Sequence, residues 1–454
     1  MISVSGMRGL VGSDLTPELV ARHAAAFGAW ARGNGAGSVV IGRDARTSGP
    51  MFVRAATAGL QSVGVDVIDV GMVPTPTVQM AVEHHRAGGG LIITASHNPI
   101  EWNALKFVGP DGIFLDAESG AAVRALAERG AQGAEGGPPR CGWEGIGIVT
   151  NDDGAVARHL DAILELPEID VGAIRDRQFH VALDCVRGAG APAMLSLFDR
   201  LGVRVSGINL ESDGQFPRAP EPIPENLGEL GELVQTSGAD LGMAVDPDVD
   251  RLALVDELGH PIGEDYTLAL AVAAVLSHPG RGARPVVVAN LSTSLVVADA
   301  VEAGGGMLRR APVGEANVAR EIIAVKALVG GEGNGGVILP ALHAGRDAPL
   351  AAALILQHLA GTGKRLSELV AAAPRYVIIK ARAPRGADLE AEYRRLEVAF
   401  PAAERDRRDG LRLGWPDRWL HVRPSGTEPI VRLIAEAPTA EEAEELIRMA
   451  RAAG

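Results

Sequence analysis

Short runs of β-branched and aliphatic residues alternate with stretches rich in alanine and leucine along most of this 454-residue chain. That alternation is typical of α/β layers, in which helices cover sheets that contain parallel strands. Thr16 and Pro17 match the N-cap and first position of a helix that runs to about Ala31. The strands predicted after this helix are Ser38–Arg43, Val65–Val70 and Leu91–Thr94.

The chain is too long for a single hydrophobic core, because domains usually hold about 100–150 residues. A break rich in glycine and proline occurs at residues 133–140, and the alternation then starts again. Beyond about Ala372 the pattern changes, because strands follow one another without long helices between them. We therefore predict an α/β protein with three mixed α/β-sheet domains and a smaller C-terminal α+β domain, at residues 1–150, 151–256, 257–370 and 371–454.

The later domains carry their own predicted strands, and Thr439 and Glu442 form a predicted capping box at the start of the last helix. Several of these strands end in polar loops, which are common places for functional side chains. The predicted strands are His180–Cys185, Val203–Ile208, Leu241–Val245, Leu252–Val255, Pro285–Ala289, Gly336–Leu339, Tyr376–Ala381, Trp419–Val422 and Ile430–Ala435.

Overall charge and cysteine content argue against several kinds of partner and site. A formal charge of −14 argues against nucleic acid and anionic membranes as partners, so an anionic small molecule would need a local arginine cluster. Cys141 and Cys185 are too few for a disulfide framework or a zinc site, which favours a reducing compartment. The N-terminus lacks a signal-peptide pattern, and the longest apolar run, Leu268–Leu276, is too short to span a bilayer. We therefore expect a cytoplasmic protein.

One serine follows an apolar strand directly. The run at residues 91–93 leads into the polar turn Thr94-Ala95-Ser96-His97-Asn98-Pro99, so we expect Ser96 at a strand end, facing solvent. A serine hydroxyl is a weak nucleophile unless a base or a bound cation assists it. Once phosphorylated, it would carry nearly two negative charges and three strong acceptor oxygens. Taken alone, the segment also fits an ordinary turn that ends a strand.

Carboxylates alternate in the segment Asp246-Pro247-Asp248-Val249-Asp250, and Arg251 follows it. Brought together without a cation, these carboxylates would repel one another. Oxygen ligands at this spacing suit Mg²⁺, which commonly uses few carboxylates together with phosphate oxygens. An EF-hand is excluded, because Arg251 stands where that loop needs glycine and the flanking segments are predicted strands. The alternative is a solvated turn rich in aspartate.

Two further loops carry groups that suit a sugar phosphate. Arg423-Pro424-Ser425-Gly426-Thr427-Glu428-Pro429, with Arg432 shortly after, offers hydroxyls, an amide and guanidinium groups for a phosphate. Gly330-Gly331-Glu332-Gly333-Asn334-Gly335-Gly336 allows close approach of the backbone, and its Glu332 and Asn334 suit sugar hydroxyls. Each loop, taken alone, could instead be a simple turn between strands.

Two cations outside these loops could flank a phosphoryl group during transfer. They are Arg8 near the N-terminus and Lys106 just after the serine loop. Lys106, taken alone, fits a surface residue better. A serine that carries phosphate needs a cation-binding site nearby, and the aspartate loop could provide that site. The sequence therefore predicts an enzyme that transfers a phosphoryl group through Ser96.

Together these segments resemble the α-D-phosphohexomutase family, which includes phosphoglucomutases, phosphomannomutases and phosphoglucosamine mutases. The resemblance covers nearly the whole chain, and the serine, aspartate, sugar and phosphate loops follow the family's order. Gly42-Arg43-Asp44, Pro74-Thr75-Pro76 and Pro220-Glu221-Pro222 also match. The resemblance implies a four-domain, heart-shaped protein with its active site in a central cleft.

The resemblance also implies a reaction. Phosphoserine 96 would give its phosphoryl group to a hexose phosphate, and the resulting sugar 1,6-bisphosphate would turn round and return the other phosphoryl group. Mg²⁺ would be held by a phosphoryl oxygen on Ser96 and by the aspartates Asp246, Asp248 and Asp250.

The roles implied for the remaining residues follow from the same resemblance. Arg8 and Lys106 would lie near the transferring phosphoryl group, and His97 and Lys106 are candidates for proton transfer. The implied substrate-binding residues are Arg251, Gly314, Glu332, Asn334, Gly335, Arg423, Ser425, Gly426, Thr427 and Arg432.

The sugar loop lacks the Ser-Gly-His of many family members and resembles archaeal-type phosphoglucosamine mutases. We therefore predict glucosamine phosphate as the substrate, with a phosphomannomutase or phosphoglucomutase of broad hexose specificity as the alternative. A Mg²⁺-dependent sugar phosphatase and a non-catalytic sugar-phosphate sensor are further alternatives. The phosphate and sugar loops weigh against a phosphatase, because a hydrolase need not hold both ends of its substrate. The intact serine and aspartate loops weigh against a sensor.

Overall fold

The structure is a computed structural model that describes residues 2–3, 6–35, 37–131, 137–386, 388–425 and 430–453. It has a four-domain α/β architecture, with mixed sheets in three domains and an antiparallel sheet in the C-terminal domain. The predicted fold class is therefore confirmed. Within these ranges, every helix is too short or too polar to span a bilayer.

The elements of the first domain are the strands β1 (Ile2–Ser3), β2 (Gly6–Leu10), β3 (Ser38–Arg43), β4 (Asp66–Met72), β5 (Gly90–Ile93), β6 (Trp102–Val108) and β7 (Val149–Asn151) and the helices α1 (Pro17–Gly33), α2 (Gly49–Gln61), α3 (Thr75–His84) and α4 (Ala117–Ala131). The strand order is β1-β2-β6-β5-β3-β4-β7. The parallel neighbours β3 and β5 are apolar and mostly buried, as strands covered by helices on both faces require. The serine loop begins where β5 ends.

The elements of the second domain are the helices α5 (Ala155–Leu164), α6 (Val171–Asp176), α7 (Gly190–Arg200) and α8 (Gly228–Ser237) and the strands β8 (His180–Asp184), β9 (Arg204–Ile208), β10 (Leu241–Val245) and β11 (Leu252–Val255). The strand order is β11-β10-β8-β9, and β10 is parallel to β8 but antiparallel to β11. The aspartate loop connects β10 to β11. Its carboxylates therefore lie at the carboxyl end of β10, a usual position for ligand sites in α/β sheets.

The elements of the third domain are the helices α9 (Asp265–Ser277), α10 (Leu295–Ala303), α11 (Glu315–Val325), α12 (Ala348–Thr362) and α13 (Leu366–Ala372) and the strands β12 (Val286–Asn290), β13 (Met307–Ala311), β14 (Val329–Glu332) and β15 (Gly336–Ile338). The strand order is β13-β12-β14-β15, and the sugar loop joins β14 to β15. A single hydrophobic core contains Met243, Val287 and Leu354, so the second and third domains pack against each other through apolar side chains.

The elements of the C-terminal domain are the strands β16 (Val377–Pro384), β17 (Glu404–Asp406), β18 (Leu411–Gly414), β19 (Trp419–Pro424) and β20 (Ile430–Ala437) and the helices α14 (Leu389–Ala399) and α15 (Ala440–Ala453). The strand order is β16-β20-β19-β18-β17, and neighbouring strands are antiparallel.

Helix α14 corrects one expectation. Its 11 residues separate β16 from β17, so the prediction that strands in this part follow one another without a long helix is wrong here. The helix is rich in charged residues, which hides its apolar positions in the sequence. Tyr393 and Leu396 are three residues apart and pack into the core of the domain. This spacing places both side chains on one face of the helix.

Candidate active site

Residues of all four domains line one cleft with a volume of about 740 Å³. The aspartates Asp246, Asp248 and Asp250 are buried immediately behind its wall, and the first two contact side chains of the first domain. The structure thus brings together groups that are widely separated in the sequence. The predicted residues that line the cleft are Arg8, Ser96, His97, Lys106, Arg251, Gly314, Glu332, Asn334 and Arg432.

Ser96 lies in the turn after β5, and its φ of +49° is in the left-handed region that side chains disfavour. Its N–H donates to Thr94 Oγ1 at 2.9 Å, and that hydroxyl donates to Asp44 Oδ2 at 2.6 Å. Only 3% of Ser96 is exposed, so the prediction that it faces solvent is wrong. The second domain covers it, because Ser96 Oγ donates to Asp246 Oδ2 at 2.9 Å.

A buried arginine that the sequence analysis did not single out holds the serine loop. Arg46 is 0% exposed, and its Nε donates to Asp44 Oδ2 at 3.0 Å. Its position two residues after the segment Gly42-Arg43-Asp44 is the one available signal in the sequence. The guanidinium also donates, at 2.6 to 2.9 Å, to the carbonyl oxygens of Ser96, Asn98, Pro99 and Trp102.

The aspartate loop presents two buried oxygens that accept no hydrogen bond from the described residues. Asp248 Oδ2 accepts hydrogen bonds from Lys106 Nζ at 2.8 Å and from Thr75 Oγ1 at 2.9 Å. Asp250 Oδ2 accepts one from Arg346 Nη2 at 2.6 Å. In the described parts of the chain, the other oxygen of each, Oδ1, is buried and accepts no hydrogen bond, although Asp250 Oδ1 lies 3.6 Å from Arg251 Nε.

The donor set of this loop fits a divalent cation. One oxygen from each of Asp246, Asp248 and Asp250 lies within 4.8 Å of the other two. Burial and the charges of the other two aspartates raise the pKa of Asp246. Burial acts in the same direction on Asp248, but Lys106 outweighs it and lowers the pKa of that carboxyl. Clustered carboxylates with free buried oxygens are what a hard metal ion requires.

His97, Arg8 and Arg251 surround Ser96 on the cleft wall. Nδ1 of His97 lies 3.3 Å from Ser96 Oγ. Burial, together with the charges of Arg251 and Arg8, lowers the pKa of His97 to about 2. The imidazole is therefore neutral near pH 7. Arg8 Nη1 donates to Asn98 Oδ1 at 2.7 Å, which fixes its guanidinium beside the serine loop.

Glu332 ends β14 with both carboxylate oxygens engaged. Oε1 accepts hydrogen bonds from Asn290 Nδ2 and from the N–H of Gly314, each at 2.9 Å. Oε2 accepts one from Arg346 Nη1 at 2.8 Å. Burial acts to raise the pKa of Glu332, but Arg346 and these hydrogen bonds outweigh it and lower the pKa. Glu332 is therefore a fixed anion on the cleft wall.

The rest of the sugar loop packs against the end of the aspartate loop. Gly335 has a φ of +87°, and a Cβ there would lie 2.4 Å from the carbonyl oxygen of Leu252, so only glycine fits. The N–H of Leu252 donates to the carbonyl of Gly335 at 3.0 Å. Asn334 Oδ1 accepts from the N–H of Gly336 at 3.2 Å, at the cleft wall.

Arg346 is a second residue that the sequence analysis missed. Its guanidinium contacts Asp250 and Glu332, and Nε lies 3.2 Å from Glu315 Oε2. It therefore connects the aspartate loop to the sugar loop. The sequence holds no clear signal for it, because Arg346 lies in the connection before α12, which carries none of the recognised segments.

The C-terminal domain presents a row of arginines. In the sheet register, Arg432 on β20 is paired with Arg423 on β19 and with Arg382 on β16, so the three residues share one face. Like charges directly opposite one another are destabilising, which favours an anion at this face. Asp409 contacts Arg423, with oxygens 3.0 Å from Nε and 3.3 Å from Nη2. Arg382 was not predicted.

Some predicted residues do not reach the described cleft wall. Ser425 is buried and its N–H donates to the carbonyl of Ile430 at 2.9 Å. Arg423 and Gly335 lie behind the wall, beside residues that line it. Gly426 and Thr427, predicted to bind phosphate, lie outside the described residues.

Models of one protein family match four consecutive stretches of the chain. They are described as phosphoglucomutase/phosphomannomutase, alpha/beta/alpha domains I, II and III, at residues 2–134, 157–259 and 263–376, and as the C-terminal domain of the same family, at residues 378–453. The boundaries predicted after residues 150, 256 and 370 stay predictions.

Individual relatives are similar over almost their whole length. A phosphoglucomutase/phosphomannomutase of Thermococcus kodakarensis is 38% identical, over 98% of this chain and 96% of its own. A probable phosphoglucosamine mutase of Methanopyrus kandleri is 36% identical, over 97% of this chain and 95% of its own. The crystal structure of a phosphoglucomutase/phosphomannomutase family protein from Burkholderia thailandensis has a TM-score of 0.86 and 28% identity, and covers 100% of this chain and 97% of that one.

The fold, the cleft and these similarities define the class of protein as phosphohexomutases, which are isomerase-type enzymes. The chain belongs to the phosphoglucomutase/phosphomannomutase family. The family resemblance inferred from the ordered loops is thereby confirmed.

Proposed function

We propose that this protein interconverts a hexosamine 6-phosphate and the corresponding 1-phosphate through phosphoserine 96 and a sugar 1,6-bisphosphate. The observation that carries the proposal is the 2.9 Å contact between Ser96 Oγ and Asp246 Oδ2 at the cleft. It supports phosphoryl transfer because a hydroxyl that can hold phosphate lies against carboxylates that can hold a cation. Membership of a family of phosphohexomutases agrees with this chemistry.

The proposed cation is Mg²⁺, held by Asp246, Asp248, Asp250 and a phosphoryl oxygen on Ser96. The buried Oδ1 atoms of Asp248 and Asp250, which accept no hydrogen bond from the described residues, support it, since such acceptors suit a hard cation. When bound, the ion would neutralise charge on the phosphoryl oxygens. Lys106 and Arg346 hold the opposite oxygens of two aspartates, which keeps the free ones in position.

In the proposed first half-reaction, a sugar hydroxyl attacks the phosphorus of phosphoserine 96, and the bond between phosphorus and Ser96 Oγ breaks. A proton passes from the sugar hydroxyl to the departing Oγ, and His97 and Lys106 are the proposed groups that assist this transfer. The 3.3 Å distance between His97 Nδ1 and Ser96 Oγ supports a role for His97 at the serine oxygen. The second half-reaction is the reverse, on the other phosphoryl group, so no phosphate is consumed. Arg8 would balance charge on the phosphoryl oxygens.

Both ends of the substrate need a binding site, because the bisphosphate must react in two orientations. Glu332 and Asn334 are proposed to hold sugar hydroxyls, beside Gly335, Gly314 and Arg251. The free end would be a phosphate, and the arginine row supports its binding there. The proposed phosphate-binding residues are Arg423, Ser425, Gly426, Thr427 and Arg432, with Arg382 added by the sheet register.

Glucosamine phosphate is the proposed first substrate, ahead of mannose and glucose phosphates. The glycine-rich sugar loop supports this choice, and the Methanopyrus relative named above carries the name phosphoglucosamine mutase. The alternative, broad hexose specificity, is supported by the name of the Thermococcus relative. Initial rates of 1-phosphate formation with glucosamine, mannose and glucose 6-phosphates distinguish the two. Comparable rates with all three would favour broad specificity.

The Ser96→Ala variant tests the role of the serine. With hexosamine 6-phosphate, Mg²⁺ and the 1,6-bisphosphate supplied, we expect turnover to fall by at least about a thousandfold, because no other hydroxyl holds the phosphoryl group. The matched control is Ser62→Ala, which removes a hydroxyl of the same domain that contacts the carbonyl of Gly59.

Two outcomes would contradict the proposed function. Near-parental turnover of Ser96→Ala would exclude the phosphoserine. Release of inorganic phosphate in excess of isomerised sugar phosphate by the parent protein would instead favour a phosphatase, in which water attacks the phosphoserine.

A further inference from the structure

A second cluster of buried titratable side chains lies behind the cleft, and no step of the proposed reaction uses it. His159 on α5 and His343, before α12, both contact Asp347 Oδ2 through Nε2, at 2.7 and 3.0 Å. The three side chains are 0 to 2% exposed. We call His159, His343 and Asp347 the clasp.

The hydrogen bonds of the clasp determine the tautomer of His343. The N–H of Gly345 donates to His343 Nδ1 at 3.1 Å, so the ring proton is on Nε2 and points at Asp347. A metal ion bound at Nε2 would require that proton on Nδ1, where it would oppose the N–H of Gly345. The ligand atoms of the clasp lie within 4.8 Å of one another, but this geometry favours a hydrogen-bonded cluster over a metal site.

Asp347 is fixed from several directions. Its N–H donates to the carbonyl of Val337 at 3.0 Å, and its Oδ1 accepts from the N–H of Leu350 at 2.9 Å, which caps α12. Although burial acts to raise the pKa of Asp347, the two histidines outweigh it and lower the pKa. Asp347 is therefore a held anion with both oxygens engaged.

Arg346 immediately precedes Asp347 and extends to the other side of the chain, towards the cleft. Its Nη2 donates to Asp250 Oδ2 at 2.6 Å and its Nη1 to Glu332 Oε2 at 2.8 Å. The N–H of Arg346 also donates to Glu315 Oε1 at 3.2 Å. A buried ion pair is favourable only when its geometry is well held, so the backbone position of Arg346 determines how well it bridges the two loops.

The clasp also connects to the first domain. Thr77 on α3 contacts His159 Nδ1 through Oγ1 at 2.8 Å. Thr75, in the same first turn of α3, donates to Asp248 Oδ2 at 2.9 Å. The clasp therefore connects, through Thr77 and Thr75 and through Arg346, to Asp248 and Asp250, the two aspartates whose Oδ1 atoms accept no hydrogen bond from the described residues.

We propose that His159, His343 and Asp347 are positioning residues of the active site. The clasp holds the backbone at Arg346, and Arg346 sets the positions of the Asp250 and Glu332 carboxylates. The proposal rests on the proposed function only in taking the aspartate loop as a cation site. Residues outside the first layer of a metal site commonly change its affinity about 10–100-fold when they are altered.

Binding of Mn²⁺ to the full chain, measured by electron paramagnetic resonance, tests the proposal without any need for turnover. We expect His159→Phe, which keeps a ring but removes the hydrogen bond to Asp347, to raise the Kd for Mn²⁺ about tenfold. His159→Gln retains a donor and should restore most of the affinity. The control is His180→Phe, a buried histidine that contacts Ser206 Oγ at 2.9 Å outside the cleft wall.

A double-mutant cycle tests whether the effect passes through Arg346. Arg346→Lys keeps the charge but cannot bridge both carboxylates, so we expect it to weaken Mn²⁺ binding by itself. In that background, His159→Phe should cause little further loss. Additive losses would overturn the proposal, because they would mean that the clasp acts by another route.

Other outcomes separate the clasp from the proposed function. If the parent protein binds Mn²⁺ and His159→Phe binds it with the same Kd, the positioning role of the clasp would be overturned but the cation site would not. Absence of Mn²⁺ binding in the parent protein would overturn both the cation site and the clasp. If His159→Phe does not fold, His343→Phe replaces it, since it removes the other histidine contact with Asp347 Oδ2. Unchanged Mn²⁺ affinity in that variant would also overturn the proposal.

Discussion

Single buried arginines determine much of the geometry of the cleft. Arg46 holds the backbone of the serine loop through four carbonyl oxygens, and Arg346 bridges carboxylates of two other loops. A guanidinium suits both tasks because it offers five donors in a planar fork. Lysine has a single side-chain nitrogen, so replacing Arg46 or Arg346 with lysine would lose some of these hydrogen bonds.

The Arg46→Lys variant tests this conclusion at the serine loop. The lysine keeps the charge but reaches fewer of the carbonyl oxygens, so we expect Ser96 to move by about 1 Å. Such a displacement from the reactive geometry should lower kcat about a hundredfold, with a smaller effect on KM. Steady-state kinetics with hexosamine 6-phosphate measure both.

Arg43→Lys is the matched control for this variant. Arg43 lies three residues earlier and donates to the carbonyl of Asp44 at 2.9 Å. We expect its kcat to stay within a few-fold of the parent. An equal loss in both variants would contradict a specific role for Arg46.

Among the elements, the start of α10 is where the third domain meets the C-terminal domain. The N–H of Leu295 donates to Glu436 Oε2 at 2.8 Å, and the N–H of Ser294 donates to Asp265 Oδ1 at 2.8 Å. Two carboxylates thus face the positive end of one helix. Burial, with the charge of Glu436, raises the pKa of Asp265 to about 7.

This shift predicts a pH dependence of stability. The pKa of Asp265 is raised in the folded state, so the folded protein binds this proton more tightly than the unfolded chain does. The stabilisation that this bound proton gives the folded protein is therefore lost as the pH rises from the ordinary carboxyl pKa towards about 7. Asp265→Asn cannot lose this proton. The melting temperature of the variant minus that of the parent should therefore increase by a few degrees from pH 5 to pH 8. Calorimetry at several pH values measures the difference.

Asp199→Asn serves as the comparison, because Asp199 is exposed on α7. We expect its melting temperature to follow that of the parent across the same pH range. A difference for Asp265→Asn that does not change with pH would contradict a buried, protonated carboxyl at this position.

For the whole molecule, the cleft exists only because four domains keep fixed positions. The second and third domains share a hydrophobic core, whereas the C-terminal domain has one of its own. The C-terminal domain instead meets the third through polar contacts. Asp409 accepts a hydrogen bond from the N–H of Val313 at 3.1 Å and also pairs with Arg423. It thereby connects the proposed phosphate-binding residues to Gly314, at the cleft wall.

Asp409→Asn tests this connection. Loss of the charge should weaken the ion pair with Arg423 and the hydrogen bond from the N–H of Val313. The free phosphate end of the substrate should then bind less well. We expect KM for hexosamine 6-phosphate to rise about tenfold with a smaller change in kcat, because charged hydrogen bonds contribute about 1.5–3 kcal/mol. Mn²⁺ affinity should stay unchanged, since Asp409 does not contact the aspartate loop.

The control is Asp406→Asn in the same domain. Asp406 pairs with Arg408 and is not part of the described cleft wall. An equal rise of KM in this variant would show that Asp409 acts through the stability of the domain and not through Arg423.

Much of the fold could be predicted from local pattern. The strands Ser38–Arg43, Leu241–Val245 and Leu252–Val255 were predicted with the bounds that the structure gives. These segments are continuous apolar runs bounded by turns, so neighbouring residues suffice to define them. Strand β6 and helix α14 were not predicted, because polar residues interrupt their apolar positions and only packing against other elements selects them.

The sequence by itself determined which loops are candidates for the chemistry, because the serine, the aspartates and the glycine-rich sugar loop each lie in a contiguous segment. Only the tertiary structure decided that Ser96 is buried against Asp246 and that Arg46 and Arg346 hold the loops. Arg346 and Asp250 are 96 residues apart, and Ser96 and Asp246 are 150 apart. No local preference fixes contacts over such separations; they follow from how the four domains pack around one cleft.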